Sequence, residues 1–311
     1  MFSNLNLLKE NKGKVCCKAL NFRNRFNMKN QDIQGWAEKA SHCLGDTYDI
    51  CKPFIDDESA FLEPFVRFVS AQLQISSHLT SESVFLLILN GKLWDADLLL
   101  RSVLEGTFKF IYLLEGGADD QKRKANEYWN ILPDMARMTK HLRASKIIKA
   151  VKNENVKLKW QPIRELMIDS NEAESLSKKY TKKEKQKLAQ QWSFSGLSRF
   201  FAEHENEKYQ DMGILGYDYG MKSHLIHQDG DAVGMIWDRF GRSEDRRNSI
   251  EIAHAGRIVS DICWFGIVRA SELLTACKQN PKISIEIYNK YANLFNEISK
   301  AAKEWHGIEY G

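Results

Sequence analysis

The sequence predicts an all-α protein, a multi-helix bundle-like domain. Proline is sparse, with five residues among 311, and apolar residues recur at the 3.6-residue period of helices over long stretches. Strand-like alternation bounded by turn residues is hard to find. The length is sufficient to bury a substantial core. We therefore expect one all-helical domain over residues 31–311, preceded by a basic N-terminal arm, residues 1–30.

Helix boundaries in the first half of the chain follow from local signals. Pro53 and the acids at 56–58 separate two helices, because acidic side chains favour a helix N-terminus. The pattern predicts a C-terminal cap at Gly91, and Gly116 with Gly117 stops the next helix. That helix is apolar nearly all round, which places it at the centre of the fold. The helices predicted in this half are 31–51, 59–79, 81–90, 93–115 and 119–151, the last bent at Pro133.

The second half contains a local start signal and a second central helix. Thr181 and Glu184 have the spacing of a capping box, and Ser195 is expected to cap the helix that follows the Trp-Ser turn. The middle of the long helix near the C-terminus is apolar on nearly all faces, so it too belongs at the centre. The predicted elements are helices at 182–191, 197–205, 209–227 and 243–277, a Gly/Asp loop at 228–241, and a last helix from Pro281 to 305.

Charge is distributed unevenly along the chain. The net charge is +4, but residues 1–30 hold seven Lys/Arg against one acid, and residues 137–187 hold fifteen against six. These two segments allow contact with RNA or another polyanion. A solvated lysine-rich surface explains the same pattern without any partner.

Cysteine usage and hydropathy suggest a cytoplasmic protein. The six cysteines form no CxxC pair and no zinc spacing, so we expect reduced thiols. Residues 1–14 lack the apolar stretch of a signal peptide. The longest apolar run, 84–89, is far shorter than the roughly 20 residues that span a bilayer. We therefore expect no association with a membrane.

The first polar signature in an apolar helix is the pair Arg101 and Glu105. Residues four apart share one face of a helix, and Asp97 lies one turn earlier on that face. Buried charge is costly unless it is paired. One interpretation is a substrate clamp in which arginine holds a phosphate or carboxylate. The other is a buried structural network that fixes helix packing.

The second signature consists of Tyr219, Ser223 and His227, spaced four apart on one predicted helix. His227 is a candidate general acid or base, with Tyr219 or Arg101 steadying a phosphate. The alternative is hydrogen bonding between helices, which buried polar groups require. We expect the two signatures to face each other across the core.

Metal binding is not expected from the remaining histidines. His224 and His227 can share a helix face, with Asp229 and Asp231 nearby, but no clear third protein ligand is evident. Glu251 and His254 form half of the motif pair that di-iron bundles use, and the second half is missing. We expect no metal and no cofactor.

Three motifs together resemble an uncharacterised, all-helical bacterial family. They are the helix with Arg101 and Glu105, the turn Trp192-Ser193-x-Ser195, and the spacing Tyr219-x3-Ser223-x3-His227. The resemblance covers residues 60–280 approximately and implies no activity. The chain is also broadly similar to the HEPN class of helical proteins, many of which are ribonucleases in toxin–antitoxin and phage-defence systems.

The HEPN resemblance directs attention to an arginine followed by a histidine. The signature of that class is Arg, four to six residues, then His, often with a polar residue directly after the Arg. Arg247-Asn248 with His254 fits, and Arg199 with His204 fits loosely. The resemblance implies a metal-independent site, with His254 as base or acid and Arg247 stabilising phosphate charge. A surface helix with ordinary ion pairs such as Arg247–Glu251 explains the same residues.

Two functions stay open on these observations. The first is a HEPN-like, metal-independent endoribonuclease that acts as a toxin or phage-defence effector. The second is a non-catalytic helical module that binds a ligand or partner protein, with the two polar signatures as a buried structural network. The sequence is compatible with a homo-oligomer in either case.

Overall fold

The computed structural model describes residues 31–151, 160–210, 212, 215, 220 and 224–311. All regular structure in these residues is helical, with no strand, which confirms the all-α prediction. In chain order the helices are α1 (Gln31–Ile55), α2 (Pro64–Leu89), α3 (Leu93–Leu114), α4 (Ala118–Asn126), the π-helix Glu127–Ile131, α5 (Leu132–Ala150), α6 (Gln161–Arg164), α7 (Ser170–Lys179), α8 (Lys182–Gln191), α9 (Phe194–Ala202), α10 (Glu207–Gln210), α11 (Gly230–Gly241), α12 (Glu244–Ala276), α13 (Lys282–Lys290) and α14 (Ala292–Tyr310). Residues 1–30, the predicted basic arm, lie outside the described residues.

The two helices predicted at the centre do occupy it. α3 packs along α2 and against α12, and α12 also packs against α1 and α14. Leu104 and Phe108 of α3 and Ile262 of α12 are fully buried in the main apolar core. A Cβ on Gly256 of α12 would lie 3.0 Å from the side chain of Ile298 on α14, so glycine permits this close contact. Burial of apolar area between these helices supplies the main stabilisation.

Helix α2 is one continuous helix where the sequence pattern predicted two. It begins at Pro64, and the Glu63 side chain accepts hydrogen bonds from the backbone N–H groups of Phe65 and Val66. It ends before Gly91, whose φ of 68° favours glycine. The predicted break near residue 80 is wrong, because α2 continues through Thr80 and Ser81. Their hydroxyls donate to the carbonyls of Ser76 and Ser77 one turn earlier, so these polar side chains are satisfied without ending the helix.

The predicted long helix over 119–151 divides into three pieces. α4 leads into the π-helix Glu127–Ile131, and α5 follows with Pro133 in its first turn. Proline cannot donate a backbone hydrogen bond, so the irregular turn lies directly before it. The Glu127 carboxylate accepts hydrogen bonds from the indole of Trp192, at 2.9 Å, and from Gln191. The π-helix therefore holds the α8–α9 turn against the core.

Several local predictions in the second half need correction. Residues 228–241 are not a loop, because Gly230–Gly241 forms α11. Ser193, rather than Ser195, caps α9 by accepting from Gly196 N–H. The last predicted helix divides at Tyr291 into α13 and α14. Glycine propensity argued against α11, but Arg239 of α11 contacts Trp94 of α3 and His254 of α12. Tertiary contacts of this kind override the weak preference.

The capping box at the start of α8 is confirmed. The Thr181 hydroxyl accepts from Glu184 N–H, and the Glu184 carboxylate accepts from Thr181 N–H. Among the described helices, none is both long enough and apolar enough to cross a bilayer.

Candidate functional site

A buried aspartate–histidine pair joins the two central helices. Asp97 lies in the second turn of α3, and His254 lies in α12. The Nε2 atom of His254 is 2.5 Å from Oδ2 of Asp97. Asp97 is 4% exposed and His254 is 8% exposed, so this polar contact is enclosed by protein. Buried polar groups need such partners, because an unpaired one costs the free energy of its desolvation.

The other ring nitrogen of His254 contacts an arginine of α11. Nη1 of Arg239 lies 2.8 Å from Nδ1 of His254. A guanidinium has no acceptor, so Nδ1 must accept this hydrogen bond. The ring proton therefore resides on Nε2 and is donated to the carboxylate of Asp97. His254 is held as the neutral imidazole in one tautomer.

Burial favours this neutral form. Desolvation lowers the pKa of His254 below its ordinary value, and the adjacent guanidinium groups of Arg257 and Arg239 act in the same direction. The Asp97 carboxylate opposes them and raises the pKa. Desolvation also lowers the pKa of Arg239, whose guanidinium is partly buried. At neutral pH the His254 ring is a hydrogen-bond bridge between an anion and a cation.

Trp94 and Arg257 complete the shell around this pair. The Trp94 ring meets the His254 ring edge to face at a centroid distance of 5.2 Å. Arg239 also stacks on Trp94, with its guanidinium carbon 4.2 Å from the ring centroid. Arg257 donates to both oxygens of Asp97, at 2.7 and 2.9 Å. Asp97 therefore accepts hydrogen bonds from two different basic side chains.

A cleft of about 350 Å³ opens on the surface beside this shell. The lining residues come from α3, α11, α12 and the α11–α12 connection: Trp94, Gly234, Met235, Asp238, Arg239, Arg242 and Ile250. Because Arg239 and Trp94 both line the cleft and contact His254, the histidine lies directly behind the cleft wall. Arg242 is fixed at the rim by Asp238, at 2.7 Å, and by Glu309 of α14, at 2.8 Å.

The predicted arginine of the HEPN-type motif is not the one that contacts His254. Arg247 lies two turns earlier in α12 and is partly buried, while the histidine ring bonds to Asp97 and Arg239. In the looser motif, Arg199 is exposed. His204 lies 3.4 Å from the Glu115 carboxylate.

The first polar signature lies on α3, one and two helical turns after Asp97. Arg101 and Glu105 are both partly buried, and Glu105 accepts from Lys109 at 2.8 Å. His227 is exposed at the end of the helical turn 224–227. Tyr219 and Ser223 lie outside the described residues. The predicted contact between the two signatures therefore stays a prediction, while the described members are not sealed from solvent.

No metal-like cluster is found in the part of the chain that the structure describes. There, no three His, Cys, Asp or Glu side chains converge on a common point. Nδ1 of His224 lies 3.0 Å from Oδ2 of Asp229, so this exposed histidine has a hydrogen-bonding partner on the neighbouring turn.

The four residues that surround His254 were not predicted from the sequence in that role. Asp97 was grouped with Arg101, and Trp94, Arg239 and Arg257 were not singled out. The sequence did contain a signal for Asp97 and Arg257, because each is a charged residue on an apolar helix. Asp97 also lies three residues after Trp94, and Arg257 three residues after His254, so each pair shares a helix face. Arg239 carried no such signal, since its segment was interpreted as a loop.

A second buried polar cluster lies deeper, between α2, α3 and α12. Arg269 is fully buried and donates to Gln74, at 2.9 Å, and to Thr107, at 2.7 Å. Its Nη2 atom has no hydrogen-bond acceptor among the described residues. Burial lowers the pKa of Arg269 to about 10. These hydrogen bonds connect α12 to α2 and α3.

Fold and site thus define an all-helical protein with an arginine-flanked histidine behind a small surface cleft. A family model matches residues 67–246, more than half of the chain, and the chain belongs to this family, which is described as a family of unknown function (DUF5677). The match includes Asp97 and Arg239 and ends eight residues before His254. No curated protein matches the chain, and no solved structure matches it.

Proposed function

We propose that this protein is a HEPN-like, metal-independent endoribonuclease whose reaction takes place at the cleft beside His254. One observation carries the proposal: a neutral histidine is oriented by a buried carboxylate and capped by an arginine that also lines the cleft. A carboxylate that orients an imidazole and stabilises its protonated form is a recurring arrangement in acid–base catalysis. The biological role we propose is that of a cytoplasmic toxin or phage-defence effector.

The chemistry assigns a step to each group. An RNA phosphate in the cleft draws the Arg239 guanidinium towards its oxygens, which frees Nδ1 of His254. Nδ1 then accepts the proton of the ribose 2′-hydroxyl, and the 2′-oxygen attacks the adjacent phosphorus. The bond from phosphorus to the 5′-oxygen breaks, and the imidazolium returns the proton to that oxygen. The products are a 2′,3′-cyclic phosphate and a 5′-hydroxyl, while Asp97 stabilises the transient imidazolium.

Substrate recognition in this proposal uses charge and stacking. Arg239 and Arg242 bind phosphate oxygens, and the partly exposed Trp94 ring offers a face for a base. The lysine-rich segment 137–187, described except for 152–159, carries exposed basic side chains on α5 and α8. With residues 1–30, it supplies the non-specific attraction of a polyanion.

The test is cleavage of a labelled single-stranded RNA in the presence of EDTA. His254→Gln is the main variant, because glutamine can accept from Arg239 and donate to Asp97 but cannot act as a base at neutral pH. We expect a loss of at least 100-fold in cleavage rate with little change in melting temperature. His306→Gln, an exposed histidine of α14, is the matched control and should cleave like the wild type.

Three results would contradict the proposal. They are no cleavage by the wild type, cleavage that requires a divalent metal, and cleavage that survives His254→Gln. Arg247→Ala and His227→Ala separate the proposed centre from the two predicted from the sequence. If either of them abolishes cleavage while His254→Gln does not, the reaction belongs to that other residue.

A second candidate function is a non-catalytic module that binds an anionic ligand or a partner protein. The observation in its favour is that both ring nitrogens of His254 are engaged and the residue is 8% exposed. Under this proposal the wild type does not cleave RNA but is stabilised by inorganic phosphate through Arg239. Arg239→Gln should abolish that stabilisation, and Arg101→Ala should lower the melting temperature by several degrees if its network is structural.

A further inference from the structure

Four large apolar side chains form an exposed stripe along α2. Phe68 is 40% exposed, Ile75 37%, Leu79 56% and Leu86 62%. Their spacings are seven, four and seven residues, which places all four within about 20° of one line along the helix. We call these four residues the α2 stripe.

The α2 stripe lies on a helix whose other side is already buried. Val66, Val69 and Val84 are fully buried against the core. Within its 26 residues, α2 carries only Arg67 and Glu82 as fully charged side chains. A contiguous row of exposed apolar side chains on a helix marks a surface that another element or molecule covers. In the described part of the chain, the outer face of α2 is covered at one end, where Trp129 contacts Phe68.

We propose that the α2 stripe is a homodimer interface, in which α2 packs against α2 of a second copy in antiparallel orientation. The spacing pattern reads the same from either end of the helix. A twofold axis at the level of Ser77 therefore places Phe68 opposite Leu86 of the second copy, and Ile75 opposite Leu79 of the second copy. A surface that is complementary to itself under a twofold rotation is what a symmetric dimer requires.

Charge placement agrees with this arrangement. Glu82 is the charged residue nearest the stripe and is 54% exposed at its side chain. In the antiparallel pair, the two copies of Glu82 lie about 15 Å apart along the axis, because ten residues at 1.5 Å each separate their levels. No like charges meet, and hydroxyls of Ser76 and Ser83 flank the seam. A parallel pair would set the two Glu82 side chains at the same level.

The size of the stripe indicates a dimer of moderate affinity. The side chains have areas of roughly 150–200 Å² each and are about half exposed, so the stripe and its flanks bury roughly 800–1,000 Å² in both copies together. Stable interfaces bury about 1,200 Å² or more, and smaller ones are transient. We therefore expect a dissociation constant in the micromolar range.

The first experiment measures the mass of the full-length chain by sedimentation equilibrium up to about 100 µM. We expect the wild type to approach twice 36.0 kDa at the highest concentration. Leu79→Glu/Leu86→Glu should raise the dissociation constant at least 100-fold, because four leucines per dimer leave the interface. Leu142→Glu/Ile285→Glu changes equally exposed leucine and isoleucine elsewhere and should leave the dissociation constant unchanged.

The second experiment tests the register and does not depend on the stability of the glutamate variant. Phe68→Cys and Leu86→Cys are prepared separately in a background in which Cys16 and Cys17 are serine. A bis-maleimide of about 8 Å span should link the two variants when they are mixed. Neither variant alone should be linked, because positions 68 and 68 lie about 27 Å apart in the antiparallel pair.

Each remaining outcome overturns the proposal. If the wild type is monomeric at 100 µM, the α2 stripe is covered by another part of this chain or binds a different protein. A dimer that persists in Leu79→Glu/Leu86→Glu forms through another surface. Linking of Phe68→Cys with itself means a parallel pair.

Discussion

Replacing Asp97 with alanine should destabilise the protein by an amount that can be worked out from its contacts. Asp97 is 4% exposed and accepts from Nε2 of His254 at 2.5 Å and from Nη2 of Arg257 at 2.7 and 2.9 Å. In Asp97→Ala, the buried Nε2–H group of His254 loses its acceptor, while Arg257, with a side chain 38% exposed, keeps its ion pair with Asp261 and reaches solvent.

The two losses differ in size. Leaving a buried donor without an acceptor costs about 1–3 kcal/mol. The bond from His254 lies at the upper end of that range, because its acceptor, the Asp97 carboxylate, is charged. The Arg257 ion pair contributes less than about 1 kcal/mol because solvent screens it and replaces it. Together they predict a loss of about 2–4 kcal/mol in the free energy of unfolding. For a chain of this length, each 1 kcal/mol lowers the melting temperature by about 1.5 °C, so the expected decrease is about 3–6 °C.

The assay is thermal and urea unfolding followed by circular dichroism. Asp95→Ala is the matched control, because Asp95 is exposed on the same helix two residues earlier and its loss should cost less than about 1 kcal/mol. Asp97→Ala combined with His254→Leu should cost less than the sum of the single changes, because the orphaned donor is gone. The reasoning is refuted if Asp97→Ala and Asp95→Ala are equally stable, or if the double change is additive.

Three further predictions rest on single features of the core. Burial lowers the folded-state pKa of His254 below its unfolded value of 6.5, so the unfolded chain takes up the proton first. The free energy of unfolding should therefore fall as pH decreases from 7 to 5, and His254→Gln should flatten that dependence in urea titrations at each pH. Arg269→Ala should cost about 3–5 kcal/mol by creating a cavity and leaving buried acceptors without a donor; a cost below 1 kcal/mol in urea unfolding would contradict the packing argument. Gly256→Ala should cost about 1–3 kcal/mol, because its Cβ would lie 3.0 Å from Ile298. The control is Gly45→Ala in α1, whose Cβ would have nothing within 4 Å and which should stabilise the protein by about 0.5–1 kcal/mol. Equal melting temperatures for these two variants would show that the α12–α14 contact is not tight.

Features encoded within one or two helical turns were predictable from the sequence. The capping box of Thr181 and Glu184, the end of α2 before Gly91 and the central helix α3 all match the structure. Each depends on side chains and backbone groups that lie three or four residues apart, so the local sequence contains the whole interaction. The repeated 3.6-residue pattern likewise determined the all-α class.

The candidate site depended on contacts that no local pattern contains. Asp97 and His254 are 157 residues apart, and they meet because α3 and α12 pack together at the centre of the fold. α11 was interpreted as a loop because glycine disfavours helix, yet Arg239 bonds to His254 and stacks on Trp94 in the folded chain. The sequence alone thus determined the all-α class, the central helices α3 and α12, and the charged residues that had to find partners. Tertiary packing decided which partners they found, since the cost of burying a charge is offset only by groups brought together from distant parts of the chain.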